Sequence, residues 1–185
     1  HFKASIQSVS KPLLYLLAMQ ERGRASVELK VGEEPSGKPF DQLAIDDQNR
    51  AFNPLINTGA LTTASMLSGD ASARYNEFEK TLKACSHDPA QVSLDDVVYK
   101  SEMETNQHNQ EIMRELVNHG IIDEGISEAA LEAYTRACSC NVTALDVAVM
   151  AATFANGGYH PMNGKRVVPR KLTTQLVTVM MSCGM

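Results

Sequence analysis

The amino-acid sequence predicts one mainly helical domain with few and short strands. With 185 residues, of which 43% are hydrophobic, the chain is long enough to bury a sizeable core. Apolar residues recur at helical spacing along most of the chain, whereas Gly, Pro and Asp concentrate between residues 32 and 53. No apolar run approaches the length of a transmembrane helix. These three observations favour a globular protein built largely from helices.

The charge and the cysteine spacing exclude several classes of function. A net charge of −5 gives no reason to expect a nucleic-acid partner or an anionic membrane surface. The cysteine spacings match neither a zinc site nor a thioredoxin motif, and the surroundings are small and apolar. We therefore expect buried, reduced thiols in a reducing compartment for most of Cys85, Cys138, Cys140 and Cys183.

The first half of the chain predicts helices on either side of a long loop. Residues 9–21 form a buried helix that ends near Gly23, and residues 26–31 suggest a short strand or an extended segment. The loop from residue 32 to residue 53 is of the kind that usually serves a site, and Glu33 and Glu34 within it are expected at the surface. A helix over about 58–67 follows, then one with a shared apolar face of Tyr75, Phe78, Leu82 and Cys85.

The second half predicts further helices with recognisable ends. Ser93 and Asp96 resemble a capping box, and amphipathic segments cover residues 107–119 and 127–138. The sequence from 144 to 156 is apolar nearly all round, which predicts a central buried helix. The remaining signals are its cap by Thr143 and Asp146, a tight turn at Asn163-Gly164, and a last helix from Pro169 to Gly184.

The tetrad Ser8-Val9-Ser10-Lys11, with Pro12 behind it, permits two interpretations. Residues three apart share a helix face, so the amine of Lys11 can reach the hydroxyl of Ser8. A lysine desolvated by apolar neighbours can accept the serine proton and so create a nucleophile, and the Ser8 N–H at the helix start could stabilise an oxyanion. The alternative is a simple helix start, because Pro is tolerated in a first turn and serine is a common cap.

Several longer motifs occur in order with the tetrad. They are "QSVSKPLLYLLA" (7–18), "VGEEPSGKPFDQL" (31–43), "NPLINTGAL" (53–61), "SEMETNQHN" (101–109), "AYTRACSCNVTALDVAVMAATFANGG" (133–158) and "MMSCGM" (180–185). Together they strongly resemble the serine-dependent glutaminases, from Gln7 to Met185. The resemblance implies an α+β fold of the β-lactamase/transpeptidase type, of which this chain carries mainly the helical part. The β-lactamases fit less well, because Ser-Asp-Asn and Lys-Thr-Gly do not occur.

The resemblance implies a reaction and a set of site residues. The reaction is hydrolysis of the side-chain amide of L-glutamine to L-glutamate and ammonia through an acyl-serine, with neither a metal ion nor an organic cofactor. Ser8 matches the nucleophile and Lys11 the general base. The matching substrate-binding residues are Ser8, Asn57, Glu102, Asn109 and Tyr134.

Each implied binding residue has suitable chemistry and also an ordinary structural explanation. A carboxylate at Glu102 suits the ammonium group of glutamine, and the amides and the phenol suit its carboxylate and its own amide. Without the resemblance, Asn57 and Asn109 would be helix-start residues, Glu102 a solvated charge, and Tyr134 a core residue. The histidines show no metal-ligand spacing.

The sequence departs from the family pattern in places that bear on activity. Thr58 stands where the family often has alanine, and Gln107-His108 where it typically has Asp-Arg. The family's further site tyrosines and its glycine-rich strand have no counterpart here, so we expect residues 1–185 to be a glutaminase domain incomplete at both ends. We expect weak or no activity from these residues alone and an active longer parent.

Two other functions remain open at this point. One is a weakly active or inactive glutaminase-like fragment that serves assembly or ligand binding, and the other is a penicillin-recognising acyltransferase. The leading hypothesis implies L-glutamine as partner, no nucleic acid or membrane, and a homo-oligomer (dimer or tetramer) in the cytoplasm, or in an organelle if the source is eukaryotic. The stretch "GKPFDQL" resembles the loop that couples assembly to activity in some family members.

Overall fold

The computed structural model describes residues 2–184, so Met185 at the end of the resemblance lies outside the described residues. The described part is mainly helical, with one small antiparallel sheet. Its elements are β1 (Lys3–Ser5), α1 (Lys11–Arg22), α2 (Arg24–Glu28), α3 (Asn57–Ser65), α4 (Ala71–Cys85), β2 (Ser93–Leu94), α5 (Asp96–Glu104), α6 (Gln107–Asn118), α7 (Glu124–Cys138), β3 (Cys140–Thr143), α8 (Ala144–Ala155) and α9 (Arg170–Cys183), with 3-10 turns at Gln7–Ser10 and Pro89–Gln91.

The sheet ties the beginning of the chain to its second half. Its strand order is β1-β3-β2, and Ala4 lies opposite Val142. The pairing continues one residue past β1, where the Ile6 N–H donates to the Cys140 carbonyl at 2.8 Å. The sheet therefore fixes the point at which the chain enters the Gln7–Ser10 turn.

Helix α3 is the central helix of the fold. Every one of its residues is buried, and it packs against α1, α6 and α7. Gly59 makes this close packing possible, because a Cβ there would lie 1.9 Å from the backbone oxygen of Asn53. Small side chains thus allow α3 to sit at the middle of the domain.

The prediction that α8 is the central buried helix is wrong. Only one side of α8 is buried, and Leu145 is 43% exposed. The outer side carries alanines, which make the sequence apolar without requiring burial; these are Ala144, Ala148, Ala151 and Ala155. The predicted capping box is confirmed, since Thr143 and Asp146 each bond the other's backbone N–H.

Three further local predictions are wrong. Residues 26–31 are not a strand: Gly23, at φ 79°, ends α1, and the Val27 N–H donates to its carbonyl to begin α2. Helix α5 is capped by Asp95, whose carboxylate accepts two backbone N–H groups, and not by Ser93. Glu33 is half-buried, because its carboxylate accepts from Tyr15 at 3.0 Å and from Gln175, whereas Glu34 is exposed as expected.

The remaining sequence features fall where they were predicted. The turn at Asn163-Gly164 closes a short hairpin in which Tyr159 pairs with Arg166, and α9 follows Pro169. Within residues 2–184 the cysteines are free; Cys85, Cys138 and Cys140 are buried and Cys183 is partly exposed. In the same described range, every helix is too short or too polar to cross a lipid bilayer.

Candidate active site

Ser8 lies in a tight turn directly before α1. The turn Gln7–Ser10 is a 3-10 helix, in which side chains three positions apart are in line along the axis. Ser8 is exposed on this turn, and Lys11 begins α1 with Pro12 behind it. The residue before Ser8 is strained: Gln7 has φ 49°, a left-handed conformation that costs about 1–3 kcal/mol outside glycine. The local fold thus presents the serine outward and the lysine inward.

The ammonium group of Lys11 is buried beside neutral partners. Lys11 is 1% exposed, and its Nζ donates to Asn57 Oδ1 at 2.6 Å. The Phe40 ring lies 5.3 Å from Nζ, and Lys11 makes no ion pair with a carboxylate among residues 2–184. Burial lowers the pKa of Lys11 to about 8, against smaller raising effects of Cys138 and Asp41.

Two asparagines connect Lys11 to the beginnings of two helices. Asn57 is the first residue of α3, and its Nδ2 donates to Asn109 Oδ1 at 2.9 Å. Asn109 lies in the first turn of α6. Both helix-start positions agree with the sequence-based expectation, and helix starts offer backbone N–H groups that favour an anion.

A single cleft brings the predicted binding residues together. It has a volume of about 200 Å³ and borders the Ser8 turn. All five predicted substrate-binding residues line it, namely Ser8, Asn57, Glu102, Asn109 and Tyr134. Lys11 does not line the cleft but contacts one of its residues, because its Nζ donates a hydrogen bond to Asn57.

The polar groups of the cleft differ in burial. Glu102 comes from α5 and its Oε1 accepts from Gln7 Nε2 at 3.1 Å. Tyr134 comes from α7 and is buried; burial raises its pKa well above the ordinary value, Cys138 and Glu102 add to this, and a hydrogen bond with Ser8 opposes it. The phenol therefore stays protonated and can donate a hydrogen bond.

Five residues that line the cleft were not predicted as site residues from the sequence: Gln7, Phe40, Asn106, Thr135 and Cys138. Gln7 adjoins the tetrad, but its left-handed backbone has no signal in the sequence. The loop that carries Phe40 was expected to serve a site. Cys138 was assigned only to the core, yet its buried Sγ lies 3.5 Å from Ser10 Oγ at the base of the turn.

The two departures from the family pattern both contact the loop that carries Phe40. Thr58 Oγ1 accepts from the Ala44 N–H at 3.2 Å and donates to the Gln42 carbonyl at 3.3 Å. The His108 ring contacts the Asp41 carbonyl. These side chains therefore hold residues 41–44 beside α3 and α6.

Within residues 2–184, no group of three or more His, Cys, Asp or Glu could hold a metal ion.

Comparisons with known proteins agree on one family. A family model described as Glutaminase matches residues 1–185. The chain is 37% identical over 182 residues to a glutaminase of Corynebacterium glutamicum and 38% identical over 184 residues to one of Nostoc sp.; 98% of the chain is covered in each case. These matches cover 44% and 54% of the two relatives, so the chain spans about half the length of the curated relatives it matches.

A solved structure adds the fold. The crystal structure of a probable glutaminase of Bacillus subtilis superimposes with a TM-score of 0.90 at 27% identity, over 100% of this chain and 59% of that one. The α+β fold of the β-lactamase type, with mainly its helical part in this chain, is thereby confirmed.

Proposed function

Since the chain belongs to the glutaminase family, we propose that it provides the catalytic serine and lysine for hydrolysis of L-glutamine to L-glutamate and ammonia. The observation that carries this proposal is the buried Lys11, whose pKa of about 8 leaves a useful fraction of neutral amine near neutral pH. A free amine one turn from an exposed serine is a suitable base for it.

The proposed reaction proceeds in two halves. The neutral Lys11 amine takes the proton of Ser8 Oγ, which attacks the side-chain carbonyl carbon of glutamine. The tetrahedral intermediate collapses as the nitrogen takes that proton and leaves as ammonia, so an acyl-serine ester remains. Water, activated by the same amine, then attacks the ester and releases glutamate, and Ser8 regains its proton.

The cleft residues supply complementary groups for the substrate. Glu102 is the carboxylate for the α-ammonium of glutamine, as an opposite charge in a confined cleft. Asn57 and Asn109 offer amide donors, and the protonated phenol of Tyr134 offers another, to the α-carboxylate and the side-chain amide. A zwitterion of glutamine's shape therefore meets a partner for each charged end.

The central experiment measures ammonia release from L-glutamine by the 185-residue protein and by the longer parent chain that we propose, because the 185 residues span about half the length of the curated relatives. We expect turnover in the parent, and loss of turnover in Ser8→Ala and Lys11→Ala with glutamine binding retained in Ser8→Ala. Ser127→Ala, at a partly exposed position, and Lys80→Ala, at an exposed one, are matched controls that should keep activity. Unchanged turnover in Ser8→Ala would remove Ser8 from the mechanism.

Each of the other candidate functions has its own diagnostic result. Glutamine binding by the parent without ammonia release would favour a ligand-binding or assembly role over catalysis. A labelled β-lactam tests the acyltransferase, and we expect no adduct at Ser8. A homo-oligomer, dimer or tetramer, and a cytoplasmic location complete the proposal; light scattering of the purified protein measures the first.

A further inference from the structure

A second cleft, of about 650 Å³, lies apart from the cleft at Ser8. Its walls come from the second half of α4, the turn that follows it, and the hairpin at residues 159–167. It shares no lining residue with the cleft at Ser8. A volume of this size is in the usual range for a small-molecule site, which is about 300–1,000 Å³.

The lining of this second cleft is cationic in a chain of net charge −5. Four basic side chains line it, namely Lys80, Lys83, Lys165 and Arg166, against one carboxylate, Glu77. Lys165 and Arg166 form no ion pair with Asp or Glu in the described part of the chain. The hairpin thus contributes two uncompensated positive charges.

The two lysines from α4 are also available to a ligand. Lys80 pairs with Glu77 at 3.0 Å and Lys83 with Glu79 at 2.8 Å, each within the helix. Pairs of this kind near the surface contribute only about 0–1 kcal/mol. A more highly charged group entering the cleft can therefore attract either ammonium away from its carboxylate.

The hairpin is held in place before any ligand arrives. The His160 N–H donates to the Lys165 carbonyl at 2.9 Å, and the Arg166 guanidinium lies 4.7 Å from the centre of the Tyr159 ring. The buried His160 ring bonds the Ser86 carbonyl through Nε2 at 3.0 Å, which joins the hairpin to the turn after α4. Such a preformed site loses little conformational freedom on binding.

We propose that this second cleft binds a small molecule that carries two or more linked phosphate groups, as inorganic pyrophosphate and nucleoside polyphosphates do. Lysine and arginine are the side chains best suited to phosphate oxygens. Because the cations come from two separate segments, a chain of phosphates can engage both, whereas one phosphate engages only part of the set. Ala84, Pro89 and Val167 add apolar lining that suits a nucleoside base.

The test is calorimetric titration of the protein with ATP, pyrophosphate, inorganic phosphate and adenosine at low ionic strength. We expect ATP and pyrophosphate to bind, and phosphate and adenosine to bind at least about tenfold more weakly. The double variant Lys165→Ala/Arg166→Ala should lose about tenfold or more in ATP affinity, since charged hydrogen bonds contribute about that factor each. The exposed pair Lys100→Ala/Arg114→Ala is the matched control and should bind ATP as the unmodified protein does.

Other outcomes overturn the proposal. They are no ATP binding by the unmodified protein, equal binding of adenosine and ATP, equal binding of phosphate and pyrophosphate, or unchanged ATP affinity in the double variant. Tighter binding of ATP than of pyrophosphate identifies a nucleotide as the ligand, and equal binding identifies the phosphate chain alone. Thermal unfolding of both double variants verifies that they are folded.

Discussion

Lys11 Nζ and Asn57 Oδ1 form a hydrogen bond of 2.6 Å in the interior of the protein. The partner of this buried ammonium is a neutral amide, where a carboxylate would hold the proton firmly on the lysine. Asn57 Nδ2 donates a hydrogen bond to Asn109, which orients the side-chain amide of Asn57 with its oxygen towards Lys11. Asn57 therefore gives the buried ammonium group a hydrogen-bond acceptor and leaves the pKa of Lys11 low enough for base catalysis.

The first prediction concerns the pH dependence of the proposed reaction. The value of kcat/KM for glutamine should rise with pH up to about 8, where Lys11 becomes neutral, and then level off. Asn57→Asp places a carboxylate beside the ammonium and should move this rise upward by about one pH unit or more. The exposed Asn118→Asp is the control. An unmoved profile in Asn57→Asp would contradict the role of Lys11 as base.

The second prediction is a gain in stability at the expense of activity. The pKa of Lys11 falls from 10.5 to about 8, which corresponds to about 3 kcal/mol against the charged form. Lys11→Met removes that cost. It also leaves Asn57 Oδ1 without its hydrogen-bond donor, which destabilises the folded state by about 1–2 kcal/mol and offsets part of the gain. We expect unfolding at neutral pH to become about 1–2 kcal/mol less favourable, measured with denaturant, and no ammonia release. A less stable Lys11→Met would show that the buried amine is favourable.

The third prediction concerns the role of Glu102. Glu102→Gln keeps the size of the side chain but removes the charge proposed to meet the α-ammonium, so KM for glutamine should rise at least about tenfold. The comparison is an analogue of glutamine without the α-amino group, for which Glu102→Gln should change KM little. An equal loss for both substrates would assign Glu102 a purely structural role.

The fourth prediction tests the close packing of α3. In Gly59→Ala the new Cβ would meet the Asn53 carbonyl, which is backbone and cannot rotate away. We expect a loss of about 2–4 kcal/mol in the free energy of unfolding, by denaturant titration. Gly125→Ala, in the first turn of α7, is the control, because its Cβ meets only the Asp123 side chain. A small effect at Gly59 would mean that α3 can shift.

The fifth prediction concerns the pH dependence of the stability that Asp146 provides at the start of α8. Burial opposes the charge of Asp146, but hydrogen bonds from the Asp88 N–H and from Thr143 outweigh it, so the pKa of Asp146 lies below its usual value. The stabilisation is therefore present near neutral pH and is lost as pH falls through that lowered pKa. Asp146→Asn should cost about 2 kcal/mol at pH 7 and less near pH 3, measured by denaturant titration; the exposed Asp96→Asn is the control.

The sequence predicted helices best where the apolar periodicity is regular, as in α4 and α6, or where end signals are clear, as in α9. It misplaced the centre of the fold. The apolar composition of α8 predicted a fully buried helix, whereas the small polar residues of α3 gave no indication that this helix is the buried one. Burial of α3 depends on how other helices surround it. Gly59 is the one residue of α3 whose type reflects close packing, since a Cβ there would meet the backbone of Asn53. Local patterns do not encode such long-range packing.

For the site, the ordered motifs identified residues that the structure gathers in one cleft. Their spacing along the chain could not show that Asn57 would bond Lys11, or that Gln7 would reach Glu102. Both contacts join residues far apart in sequence. The position of Phe40 over Lys11 likewise follows from how the loop folds back, with Thr58 holding its end.

The pairing of β1 with β3 has a consequence for biogenesis. Lys3 pairs with Thr143, so a nascent chain cannot complete this sheet until the ribosome has synthesised residue 143. Contacts of such high contact order are late events in folding. We therefore expect Ser8 to acquire its geometry only after residue 143 has been synthesised, so that shorter nascent chains present no active serine.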